Sequence, residues 1–257
     1  MTDSGFYGEL APFYHLVYSD WEASVSRQAS ALDAIIRAAD GTREGSVLDA
    51  ACGIGTQSLG LAALGYRVTA SDLSPGAVER ARREAERREL DVGFSVADMR
   101  EVFDHHGRTF DVVLAADNSV PHLLSDAEIL RAFRQFFSCT RPGGVCVVSV
   151  RDYAVEERGG TRVVPHGVRV EDGVRYLVFQ LWEWRGELYD VSLYLVEDRP
   201  GSEPVTRVMR STYYAVSLDT LAELMTRVGF ERVRRIDGVF FQPVLVGRRP
   251  PADAAAG

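Results

Sequence analysis

The chain predicts an α/β fold: a doubly wound, largely parallel sheet with helices on both faces, carrying an antiparallel β insertion. Three observations predict it. From residue 47 to 150 short apolar runs alternate with stretches of helical spacing. From 161 to 216 the apolar period drops to two, with glycines at the turns. A last helical stretch and two short apolar runs follow, which close the fold.

The elements justify themselves in order. The first 25 residues are aromatic-rich, holding Phe6, Tyr7, Phe13, Tyr14, His15, Tyr18 and Trp21, and helical spacing over 21–39 ends near Asp40-Gly41. A short strand at Val47-Leu48 runs into the glycine-rich turn CGIGTQS, and a helix over 56–64 stops at Gly65. The strand YRVTASD ends in Asp72; Pro75 then opens a helix over 75–90 whose ERARREAERRE run is a solvated face. Strands over 92–98 and 110–117 each end in aspartate, and a helix over 126–140 leads through Arg141-Pro142-Gly143-Gly144 to a fifth strand, VCVVSV. Ligands of such sheets sit at the carboxyl ends of the strands, where these acids and glycines fall. In the insertion, VPHGVRV, VRYLVFQLWEWRGELYDVSLYLVED and TRVMRSTYYAV form a meander over one end of the sheet. Tyr189, Val191, Leu193 and Leu195 share one face, Asp190 and Ser192 the other. A helix over 217–228 and the strands RVRRID and PVLVGRR, joined through Gly238, come last. The expected divisions are a helical and aromatic lid segment (1–40), a ligand-binding core (41–155), the β insertion as a substrate cover (156–216), the completing helix and strands (217–249) and a disordered tail (250–257).

Composition narrows the chemistry. All 29 basic residues are arginine, and the absence of lysine excludes Schiff-base chemistry and lysine-dependent phosphate loops. With 37 acidic residues the formal net charge is −8, and no basic stripe interrupts it, which disfavours nucleic acid or an anionic membrane as partner. No run approaches the roughly 20 apolar residues of a membrane span, and MTDSGFYGEL lacks the pattern of a secretory signal. Cys52, Cys139 and Cys146 have no metal-ligand spacing and read as reduced thiols of a cytoplasmic protein. His105-His106 lacks a nearby third ligand, so no metal is expected.

The stretch VLDAACGIGTQS carries the most chemistry. Gly53 and Gly55 let the backbone turn sharply and approach a ligand, with Asp49 just before them. Asp72 is placed to accept both hydroxyls of a ribose, and Asp98-Met99 to bond an adenine amino group and pack on its ring. This set, with the RPGG run and the closing strand pair, resembles the class I S-adenosylmethionine (SAM)-dependent methyltransferases. The resemblance covers about 45–150 and 217–247. It implies a Rossmann-like seven-stranded sheet whose last strand runs antiparallel, and SAM as cofactor, held by Asp49, Gly53, Gly55, Asp72, Leu73, Asp98, Met99 and Asp117. A nicotinamide dehydrogenase also uses a glycine turn and a ribose acid, but its third glycine would fall at Ser58. A cationic sulfonium suits a site lined by aspartates without lysine. Methyl transfer needs no enzyme nucleophile, so Cys52 is assigned to packing. A non-catalytic SAM sensor stays open on the cofactor motif alone.

Later segments resemble the glycine/sarcosine N-methyltransferases: Asn118-Ser119 with His122 after the fourth strand, Arg151-Asp152-Tyr153 after the fifth, and the paired Tyr213-Tyr214. The resemblance implies that Arg151 holds a substrate carboxylate, that Asn118 orients the substrate, and that Asn118, His122 and Arg151 serve catalysis. Tyr7, Tyr153, Tyr213 and Tyr214 join the substrate side; on a strand, one of the paired tyrosines faces away. Tyr14 and Trp21 are expected to close over SAM, with Arg27 as a substitute for the arginine that holds the SAM carboxylate in that family. Asp117 departs from the family by replacing a small residue. The expected activity is N-methylation of a small amino-acid-like substrate by direct displacement, with O-, C- or N-methylation of a specialised metabolite as the alternative. The expected partner is an amine with a carboxylate, and a homo-oligomer is left open.

Overall fold

The computed structural model describes residues 3–40 and 45–252. Helix α1 (Asp3–Leu10), a 3₁₀ turn (Tyr14–Val17) and α2 (Trp21–Asp40) lead into β1 (Ser46–Asp49) and α3 (Thr56–Ala63). There follow β2 (Arg67–Asp72), α4 (Pro75–Arg87), β3 (Val92–Val96), a short α5 (Val102–His106), β4 (Phe110–Ala115), α6 (Asp126–Cys139) and β5 (Thr140–Ser149). The insertion is β6 (Thr161–Glu171), β7 (Val174–Arg185), β8 (Leu188–Asp198) and β9 (Val205–Tyr214), after which α7 (Leu218–Arg227), β10 (Glu231–Ile236) and β11 (Val244–Arg248) complete the order. Among the described residues no helix is long and apolar enough to cross a membrane.

Seven strands form one sheet in the order β10-β11-β5-β4-β1-β2-β3, with β11 antiparallel to both neighbours and the other paired neighbours parallel. The Rossmann-like expectation holds. Both faces are buried, as the continuous apolar runs require. Leu48, Val113, Cys146, Val148 and Leu245 pack under α6 and α7, whereas Val47, Val112, Leu114, Val147 and Val246 face α2. Period-two alternation assigns neighbours to opposite cores. The order reverses between β1 and β4, and the crevice at such a switch point is where a ligand fits.

The second sheet, β6-β7-β8-β9, is a four-stranded antiparallel meander. Its inner face buries Val178, Leu193, Leu195 and Met209 against Phe6, Leu10 and Leu16 of the N-terminal segment. Tyr189, Val191 and Trp182 pack on Tyr153. Two details depart from the sequence expectation. β5 begins at Thr140 and takes the proline-glycine run into the strand, with a register irregularity against β4. His105 and His106 belong to α5, which at five residues is too short to leave a period in the sequence. All three cysteines are buried and free. Of the expected tail, residues 253–257 lie outside the described residues, as does Gly41.

Candidate active site

The turn after β1 sets the first cavity. Gly53 and Gly55 hold φ of +53° and +91°, left-handed values that favour glycine. A side chain at Gly55 would also press on Leu59 and Ala81 at 3.2 Å. The Gly53 amide donates to Asp72 Oδ2 at 2.8 Å and the Ser74 amide to Oδ1 at 2.9 Å, so the carboxylate at the end of β2 ties two loops together. Burial raises the Asp72 pKa, while the two amides and His122 oppose the rise.

This cavity, about 950 Å³, lies across the carboxyl ends of β1, β2, β3 and β4. Gly53, Asp72, Leu73, Asp98, Met99 and Asp117 line it. Asp49 and Gly55 are not among its lining residues and support it from below. Asp49 accepts a hydrogen bond from Ser58 Oγ at 2.6 Å, which explains a serine where a dehydrogenase would carry its third glycine. Asp98 is engaged by the Arg100 guanidinium at 3.0 Å, and Arg100 also reaches Glu128, so the acid expected to face an adenine already shares its charge with a cation.

Desolvation pushes Asp49 from the ordinary 3.8 up to about 7. A carboxyl whose folded pKa is raised costs stability once pH climbs above the ordinary value, and the cost is complete above the folded one. Asp49→Asn is therefore expected to raise the melting temperature by several degrees at pH 8 and to change nothing near pH 4. Thermal melts across that range check it; a gain that persists at pH 4 refutes the assignment.

After β4 the chain makes a rare move. Asp117 and Asn118 both adopt left-handed backbone, with φ of +56° and +63°. Aspartate and asparagine tolerate that region better than other side chains, which gives Asp117 a conformational reason to stand there. The Asp117 amide donates to Ser149 Oγ at 2.8 Å and the Asn118 amide to the Ser149 carbonyl at 3.0 Å, pinning the turn to β5. Asp117 accepts from Tyr18 Oη at 3.0 Å; burial raises its pKa, with Tyr18 and Arg151 opposing. The Asn118 amide group meets the Tyr153 hydroxyl at 2.9 Å, and its Oδ1 accepts from the Arg151 amide at 3.0 Å. Asn118 and Tyr153 are thus buried fasteners of the segment that carries Arg151.

Tyr7, Tyr14 and Tyr18 line the first cavity and also a second one of about 490 Å³, as does Asp117. Burial pushes all three phenols up, so they stay neutral. His122 shares a hydrogen bond between Nε2 and Tyr7 Oη at 2.8 Å, approaches Ser211 Oγ through Nδ1 at 3.3 Å, and packs on Tyr213 with ring centroids 4.1 Å apart. The second cavity holds Asn118, Arg151, Tyr213, Arg27 and residues of the meander. Arg151 lies 4.4 Å over the Trp182 ring and donates to Tyr189 Oη at 3.3 Å. Among the described residues it forms no ion pair; Asp152 is bound by Arg235 at 2.6 Å instead.

Besides Tyr153, which is buried and lines neither cavity, three sequence candidates lie elsewhere. Trp21, expected over the cofactor, is in the core with its indole N–H donating to Thr56 Oγ1 at 2.9 Å, because it opens α2 against α3 and α4. Tyr214 points away from both cavities and donates to Asp126 Oδ1 at 3.0 Å. Arg27 stands exposed at the second cavity, not the first, bonded to Ser24 Oγ at 2.9 Å. Nothing in the sequence marks Tyr189 and Trp182 as the bed of Arg151, because strand alternation does not say which face meets the site.

Residues 47–144 match the methyltransferase domain family. The core is a SAM-dependent methyltransferase domain. A glycine/sarcosine N-methyltransferase of Parasynechococcus marenigrum is 28% identical to this methyltransferase over 221 residues, 83% of this chain and 72% of that protein. A ubiquinone biosynthesis O-methyltransferase of Methylocella silvestris is 38% identical over 99 residues, 38% of this chain and 37% of that one. The SAM-bound amino pentose methyltransferase of Micromonospora echinaspora shares the fold, with a TM-score of 0.76 and 22% identity over 92% of this chain and 94% of that one. The cavity fits SAM on its own features: neutral aromatic rings and buried acids suit a cationic sulfur, and Asp72 presents acceptors at the edge of the turn.

Proposed function

We propose that the methyltransferase transfers a methyl group from SAM to the nitrogen of a small amine that carries a carboxylate. The observation that supports this most is Arg151, a half-buried guanidinium in the second cavity with no ion pair among the described residues. A half-buried cation on a ring face and a hydroxyl, with the Asp117 charge acting from farther away, has no carboxylate in direct contact, and a ligand carboxylate offers the bidentate partner its planar fork suits. The similarity to a glycine/sarcosine N-methyltransferase over most of the chain supports the same reading.

In this reading Asp72 holds the ribose hydroxyls, Leu73 and Met99 border the adenine beside Asp98, and Gly53 allows close backbone approach. When bound, SAM would supply an electrophilic methyl on a cationic sulfur, so that an N–C bond could form as the C–S bond breaks, with S-adenosylhomocysteine as the leaving group. Asp117, in the wall of both cavities, faces the substrate amine, and burial suits its carboxylate to receive the amine's proton. His122 orients Tyr7, and the three tyrosines of the N-terminal segment exclude water. Positioning of this kind can supply roughly 7–11 kcal/mol of barrier lowering. The buried thiols fit a cytoplasmic, reducing setting.

A second reading, methylation of an amine on a larger metabolite, is favoured by the size of the second cavity, about 490 Å³, which is generous for glycine. Release of S-adenosylhomocysteine with glycine, sarcosine and larger carboxylated amines tests the proposal. Turnover only with amines that lack a carboxylate would reject it.

A further inference from the structure

The second sheet brings one more polar group to the acceptor cavity. In β6, Pro165 pairs with Phe179 and Gly167 with Val178, so His166 is the extra residue of a β-bulge. Gly167, at φ +101°, makes the bulge possible. Bulges re-aim side chains, and this one delivers His166 to the wall of the second cavity, beside Arg151 and Gln180.

The tautomer of His166 is fixed by its surroundings. Its Nδ1 lies 3.2 Å from the Val17 carbonyl oxygen, which only accepts, so Nδ1 carries the proton. Burial lowers its pKa, opposed by the Val17 carbonyl and Gln180 and helped by the Arg151 and Arg169 cations. Nε2 then presents a lone pair. That atom is buried and makes no hydrogen bond of normal geometry among the described residues; the neighbouring Gln180, whose Oε1 accepts from the Trp182 indole N–H at 2.8 Å, is the side chain that acts on the ring. A buried acceptor without a donor is destabilising, and a donor on a bound ligand offsets that cost.

His166 lines the second cavity and is not among the residues of the first, whereas Asp117 and the three tyrosines line both. The nitrogen that receives the methyl belongs at that shared wall, so a different donor reaches His166. We infer that His166 Nε2 accepts a hydrogen bond from a second O–H or N–H group on the acceptor, making the substrate an amine with a further donor group rather than glycine itself. The inference rests on the N-methylation reading for the place of the amine, but not on the carboxylate.

Calorimetry on the protein saturated with S-adenosylhomocysteine tests it with two matched pairs: alanine and serine, and cyclohexylamine and 2-aminocyclohexanol. The hydroxylated member of at least one pair is expected to bind about tenfold more tightly. His166→Ala is expected to abolish that preference, and His166→Gln, which keeps an acceptor oxygen, to restore part of it, with S-adenosylhomocysteine affinity unchanged in both. Absence of any preference in the wild type, or a preference that survives His166→Ala, overturns the inference. A His166-dependent preference confined to the cyclohexyl pair upholds it and overturns the carboxylate reading instead.

Discussion

Arg151→Ala is expected to raise KM for a carboxylated acceptor by about a hundredfold while leaving SAM affinity unchanged. The side chain lines the second cavity and not the first, so its loss falls on one ligand. Removing it also takes a cation off the Trp182 ring and a donor from Tyr189, so a melting curve must accompany the kinetics. Arg151→Lys separates charge from shape. It keeps the cation but loses the planar fork, and recovers only part of the affinity. Unchanged acceptor KM in a folded Arg151→Ala protein would sink the clamp.

The second large effect belongs to Asp72. Asp72→Asn is expected to weaken SAM binding by about a hundredfold, as calorimetry would read it, although it is isosteric. Its two oxygens accept from the amides of Gly53 and Ser74. An asparagine turns one oxygen into an NH2 group, which must then face an N–H donor. One loop is released, and the acceptor available to the ribose is lost with it. Retained SAM affinity in Asp72→Asn would show that the ribose sits elsewhere.

Much of the fold was legible because alternation of period is a property of burial, which the central strands of the first sheet follow: Val47 and Leu48 go to opposite cores, as do Val112 and Val113. The glycine turn and Asp72 were legible because φ and chain direction constrain residue type locally. The acceptor side was less so. Trp21 and Tyr14 look alike in an aromatic run, yet one is core and the other lines the cavities, and only the packing of α2 on α3 separates them. His166 left no trace, since a bulge one residue long changes which way a side chain points without changing composition. The pairing of Asp98 with Arg100 was likewise invisible as a restraint, though the two lie only two positions apart.

The bed and walls around Arg151 come largely from the second sheet: Trp182, Tyr189, Tyr213, Gln180 and His166 all belong to β6–β9. The glycine turn, Asp72, Asp98 and Met99 belong to the first. The second sheet reaches the first cavity as well, through Glu183, Asp190, Ser192, Arg210, Ser211 and Thr212, so the insertion walls both cavities. The glycine turn and Asp72 lie outside the insertion, so sequence change in β6–β9 reshapes the upper walls of both cavities without touching that turn.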